Sequence, residues 1–133
     1  MSRGLRNNNP GNIRRSRVRY VGEVSPSRDP EFKEFQSMAH GYRAMFVLLD
    51  SYRRRYGLNT IRTMINRYAP PSENFTDGYI RFITSCTGIS ADEPLDTQCA
   101  SDMIPVVAAM SKIENGVSPD ILVVEQGWQM FKK

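Results

Sequence analysis

Residues Met103 to Gly116, MIPVVAAMSKIENG, decide how the chain is read. Met103, Val107, Met110 and Glu114 recur at helical spacing, so one face of a helix carries three apolar side chains and then a carboxylate. That face belongs against a core. Asn115 and Gly116 supply the helix stop, which puts Glu114 in the last turn, where the negative end of the helix disfavours ionisation. Burial acts in the same direction, because desolvation penalises the charged form. Two readings follow: a proton donor at the rim of a core, or a solvated glutamate of the kind common at helix ends.

Outward from this run the elements are helical. Asp102 is the expected N-cap, since Pro105 fits only in a first turn, and a short turn over residues 97–101 leads into it. After it, Ser118-Pro119-Asp120 starts a last helix that runs to about Phe131. Before it, Ser37 caps a helix to Tyr56 with Gly57 as its stop, and Ala44, Val47, Leu48, Ser51 and Tyr52 mark the expected inner face. Asn59 or Thr60 caps a short helix through Tyr68, closed by Ala69-Pro70-Pro71. Thr76 begins another, stopped at Gly88, with Tyr79, Ile80 and Ile83 inward. The N-terminal quarter differs. Residues 1–16 read as a structured loop around Asn-Pro-Gly-Asn, and partial alternation over 17–23 and 31–36 predicts a small hairpin. The expected fold class is α+β, mostly α, in a single domain over residues 1–133.

Composition narrows the function. With 133 residues and 40% apolar content the chain can bury one core without staples. The net charge of +4 points to an anionic partner, and Arg3, Arg6, Arg14, Arg15, Arg17 and Arg19 all precede the first acid, Glu23. Nucleic acid and bacterial cell wall both qualify, but no nucleic-acid motif accompanies the arginines, and the Arg53-Arg54-Arg55 run suits a solvated helix end. No nucleic-acid partner is expected. His40 is the lone histidine, so neither a metal nor another cofactor is predicted. Cys86 and Cys99 read as a reduced, buried pair. The opening MSRGLRNNNPGN lacks an apolar h-region, so the expectation is no signal peptide, no membrane span, synthesis in the cytoplasm, and arrival at any wall target after lysis or by non-classical export.

Several of these pieces resemble the lysozyme-like superfamily, specifically the peptidoglycan glucosaminidase domains of autolysins and flagellar muramidases. Asn8-Asn9-Pro10-Gly11-Asn12-Ile13-Arg14 resembles their Asn-Leu-Phe-Gly-Ile-Lys segment. Tyr20-Val21-Gly22 followed by residues 32–37 resembles their hairpin, and Tyr68-Ala69-Pro70 with residues 74–79 is similar to their Tyr-Ala-Thr-Asp-x-x-Tyr stretch. A phage lysozyme-like group that shares the Arg-Gly-x-Arg-Asn-Asn-Asn-Pro-Gly-Asn-Ile opening is more similar still. The resemblance covers about residues 3–83. Those enzymes carry their catalytic glutamate on a helix before the asparagine segment, and here only a few residues precede Asn8. Residues 108–116 have the look of that helix at the other end of the chain, so the resemblance implies a circular permutation, which helix packing tolerates when termini lie close together.

The resemblance thereby implies a peptidoglycan glycan-strand hydrolase acting as a monomer, whether muramidase, glucosaminidase or lytic transglycosylase. Glu114 is the implied general acid. Glu23 resembles the hairpin acid that activates water, and Tyr68 the aromatic floor of the sugar site; Asn8, Asn9 and Asn12 are candidates to bind acetamido groups. Glu73 reads as a cap or surface acid, and Glu125 as the competitor to Glu114 if the permutation is misregistered. The alternative is a non-catalytic wall-binding or phage structural module on the same fold. The arrangement makes a topological demand: Glu114 should lie beside Tyr68 and the hairpin.

Overall fold

The computed structural model describes residues 1–133 as six helices and one two-stranded antiparallel sheet. In chain order these are α1 (Arg3–Arg6), β1 (Glu23–Val24), β2 (Glu34–Phe35), α2 (Met38–Tyr56), α3 (Ile61–Tyr68), α4 (Thr76–Thr87), α5 (Ala100–Asn115) and α6 (Ile121–Lys132). The chain is thus mostly helical with one small sheet.

The central element is α2. Ser37 Oγ accepts from the His40 amide at its start, and Gly57 closes it in the left-handed conformation at φ 68°. The helix buries more than the single stripe expected of it. Tyr42, Met45, Phe46 and Leu49 are almost wholly inaccessible, whereas Val47, Leu48 and Ser51 are only half-buried. The reason is that α2 is enclosed from more than one side. α6 lies along it so closely that Gly127 rests on Tyr42 and on the backbone of Ala39 and Arg43. Trp128 meets Phe46 edge-on at 5.0 Å, and Phe131 stacks on Phe46 at 6.1 Å. From the other side α5 contributes Met103, Val106, Val107 and Met110 to the same core, each side chain worth roughly 1.5–3 kcal/mol of transfer free energy.

Four expectations change. The α5 helix begins at Ala100, with Cys99 at the cap, so Pro105 lies inside the helix. Asp102 does not cap it, because its carboxylate accepts from the Asp96 amide instead. The α6 helix begins at Ile121, where Asp120 accepts from the Leu122 amide, so Ser118-Pro119 precedes the helix rather than opening it. The cysteines are not a buried pair: Cys86 is exposed and Cys99 partly so, both free. The hairpin is shorter than its alternation promised. The Glu23 carboxylate folds back onto the Tyr20 amide and the Glu23 amide bonds the Tyr20 carbonyl, which turns the chain where a strand was expected and leaves Val18 and Val21 exposed. Residues 31–33 pair instead with the asparagine-rich loop, through Arg15 N to Glu31 O and Lys33 N to Ile13 O, both at 2.9 Å. No helix is long and apolar enough to cross a membrane.

Candidate active-site cleft

The end of α5 is tied to the N-terminal loop by Asn115. Its side-chain amide donates to the Pro10 carbonyl at 2.9 Å, and its oxygen accepts from Ser2 Oγ at 2.6 Å. These bonds fix the preceding residue. Glu114 is half-buried and accepts two hydrogen bonds, from Asn12 Nδ2 to Oε1 at 2.8 Å and from the Tyr79 hydroxyl to Oε2 at 2.9 Å. Both donors are neutral, and no ion pair reaches the carboxylate. Beside it lies a cleft of about 320 Å³ lined by Asn12, Arg14, Phe32, Tyr68, Glu73 and Glu114 among others. Glu114 therefore shares one cavity with Tyr68 and with Phe32 of the segment leading into β2.

Each wall has a local cause. Asn8 and Asn12 take left-handed backbone conformations, at φ 51° and 50°, which the short polar asparagine side chain tolerates. The tight loop they make presents Asn12 to Glu114, and Tyr68 donates to the Gly11 carbonyl in the same loop. Burial pushes both the Tyr68 and Tyr79 phenols well above their ordinary values, and the nearby Glu114 carboxylate pushes the same way. Both remain neutral donors at physiological pH. Arg14 lies with its guanidinium 5.2 Å from the Phe32 ring centre and is held 3.7 Å from Glu31, largely exposed at the rim.

One buried side-chain atom has no partner, Asn12 Oδ1. It rests against Gly4, where a β-carbon would stand 3.0 Å from it, 2.8 Å from the Asn9 carbonyl oxygen and 2.5 Å from Asn115 Oδ1.

No family model matches the chain. It is 40% identical over 121 residues to protein P5 of Pseudoalteromonas phage PM2, an alignment that covers 89% of this chain and 74% of that protein. The chain belongs to the P5 family.

In this P5-family chain the residues singled out from sequence separate into two groups. Glu114, Asn12 and Tyr68 meet at the cleft. Glu23 does not: its carboxylate pairs with Lys33 Nζ at 2.7 Å, both side chains almost buried, in a separate polar recess lined by Arg15, Arg19 and Ser27. It is paired there with Lys33 and does not line the cleft that holds Glu114. Asn9 is wholly buried and spends its amide on the Ile13 and Lys33 carbonyls and its oxygen on the Ile13 amide. Asn8 donates to the Phe35 carbonyl. Both side chains hold the loop, and Asn9 has no amide hydrogen left for a ligand. Glu125, on α6, does not line the cleft, whereas Glu73 does. Tyr79 carried an inward helical spacing that signalled burial, and nothing in that spacing marked its hydroxyl as the partner of Glu114. Of the N-terminal arginines, Arg3 pairs closely with Asp29 and Glu31, while the exposed Arg14 and Arg19 stand 3.7 Å from Glu31 and 3.9 Å from Glu23.

Proposed function

We propose that this chain cleaves a β-1,4 glycosidic bond in the glycan strands of bacterial peptidoglycan, with Glu114 as general acid. On this reading the fold is lysozyme-like, with the catalytic helix supplied by α5 at the C-terminal end, and the protein is of phage origin like its P5 relative. The observation that carries the proposal is the setting of Glu114: a half-buried carboxyl on a cleft wall, held by two neutral donors, Asn12 and Tyr79, and by no ion pair. Cleavage needs a proton on the leaving oxygen and a second group that supports the positively charged sugar or activates water. Glu114 delivers the proton and, once ionised, is held by Asn12 Nδ2 and the Tyr79 hydroxyl. Glu73 is the other carboxylate of the cleft and takes the role of base. Tyr68 offers an aromatic edge to the pyranose ring, with its hydroxyl fixed on Gly11.

The test is release of soluble muropeptides from purified peptidoglycan, read by mass spectrometry. Glu114→Gln should lower the rate by about a hundredfold or more, the usual worth of a positioned acid. Equal release by Glu114→Gln and wild type would sink Glu114 as the acid, and no release by either would leave a wall-binding module. Glu73→Gln distinguishes two routes. A loss as large as that of Glu114→Gln supports the base role, and an unchanged rate hands that role to the substrate's own acetamido group.

A further inference from the structure

The cleft does not end at Glu114. A second depression, of about 490 Å³, adjoins it and shares Asn74 and Glu114 with it, its other walls being Phe75, Gly78, Tyr79, Phe82 and Ile113. The carboxyl therefore stands where two arms of one groove meet. Phe75 is 76% exposed, an unusual position for a large apolar ring, and it adjoins the site rather than lying on a remote face. The ring lies against the first turn of α4 at Gly78, where a β-carbon would come within 2.5 Å of two Phe75 ring carbons. Two cations border this arm, Arg81 5.6 Å from the Phe75 ring centre and Lys112 6.0 Å from that of Phe82.

We infer that this second arm is a glycan-binding subsite in which Phe75 stacks on a pyranose ring of the strand on the far side of the scissile bond. The inference rests on the proposed glycan-cleaving role of Glu114. A polymer cut within its length must occupy both sides of the acid, and the arm gives the second side an apolar platform. Arg81 and Lys112 suit the carboxylates of stem peptides and, in strands freed of peptide, of the lactyl groups. The occupant is a glycan strand rather than an apolar protein surface, because the depression is flanked by charge and runs directly into the acid.

Binding is measured in the Glu114→Gln background, where substrate survives, by titrating glycan strands freed of their peptides and, separately, the N-acetylglucosamine tetramer. Adding Phe75→Ala should weaken binding of both probes by about tenfold, the loss expected when one aromatic ring is no longer buried by ligand, and Phe75→Trp should restore it. Equal affinity with and without the ring, in protein whose circular dichroism is unchanged, would overturn the subsite. Cleavage by wild type is scored separately. A protein that binds through Phe75 yet never cuts strands refutes the catalytic reading and leaves the subsite standing, while one that cuts normally after Phe75→Ala refutes the subsite alone.

Discussion

The N-terminal loop and hairpin, residues 3–36, and the helical body, residues 38–132, are held by different forces. The body has an apolar interior of aliphatic and aromatic side chains gathered around α2. The loop region has few such residues and is organised around polar groups with little access to water: Asn9 at 0% exposure, Lys33 at 1% and Glu34 at 5%. A hydrophobic core tolerates exchange of one apolar side chain for another of similar volume, whereas a buried polar network fails when one partner is removed. The two regions also hold glutamates in opposite circumstances. Glu23 is paired with a buried ammonium, while Glu114 meets only neutral donors at a cavity wall.

The most severe test of this contrast is Glu23→Gln. Lys33 Nζ donates to the Ser16 and Val18 carbonyls and to Glu23, so the substitution leaves a nearly inaccessible ammonium without its counter-charge. Breaking a buried pair in this way costs about 3–5 kcal/mol. Urea unfolding should show that loss, the double variant Glu23→Gln/Lys33→Met should recover much of it, and cleavage per folded molecule should be unchanged. A stable Glu23→Gln protein that has lost cleavage would reverse the assignment of the two glutamates.

A smaller effect is expected where the two regions touch. Gly41, in α2, lies directly beneath the Asn8 carbonyl oxygen and Pro10, and a β-carbon there would overlap the Asn8 backbone. Alanine would gain about 0.5–1 kcal/mol of helix propensity at that position but force apart backbone that cannot yield, at a cost of about 1–3 kcal/mol. The net expectation for Gly41→Ala is modest destabilisation by denaturant midpoint, with a larger loss of cleavage because the asparagine loop that presents Asn12 would shift. Unchanged stability and activity would mean that the loop does not depend on this contact.

The same contrast explains what could be read from the sequence. Apolar periodicity, together with Ser37, Thr60 and the stops at Gly57, Ala69-Pro70 and Gly88, delimits α2, α3 and α4 well, although the face predicted for α2 includes the half-buried Val47, Leu48 and Ser51. The stripe from Met103 to Met110 likewise puts Glu114 at the edge of a core, where it lies. The partners of that glutamate were out of reach, since Asn12 is 102 residues away and donates from a loop whose shape depends on two asparagines at positive φ. Alternation over residues 17–23 misled for a related reason. A lysine in a strand-like run reads as solvent-facing, and nothing local reveals that Lys33 turns inward and draws Glu23 into a turn. Glu73, on the loop between α3 and α4, carried no periodic signal and is brought to the cleft only by the way those helices pack.

Asp29 offers the mildest way to separate the regions. The Arg3 guanidinium donates to both of its oxygens, and the Glu31 and Phe32 amides and the Asn7 side chain donate as well. The Arg3 bond first, and then these others against some desolvation, hold its carboxyl far below the ordinary carboxylate range. The carboxylate form is therefore the one the folded loop favours, and its contribution is complete above the unfolded value of about 3.9 and lost as pH falls below it toward the folded value. Asp29→Asn should lower the urea midpoint at neutral pH, and the gap from wild type should narrow once the pH drops below about 4. The bonds that Asp29 accepts all come from residues 3–36, so Asp29→Asn at neutral pH should loosen those residues in amide exchange while the amides of α2 stay protected. A gap that stays constant down to about pH 2.5 would show that Asp29 is not the group that ties the loop region's stability to pH.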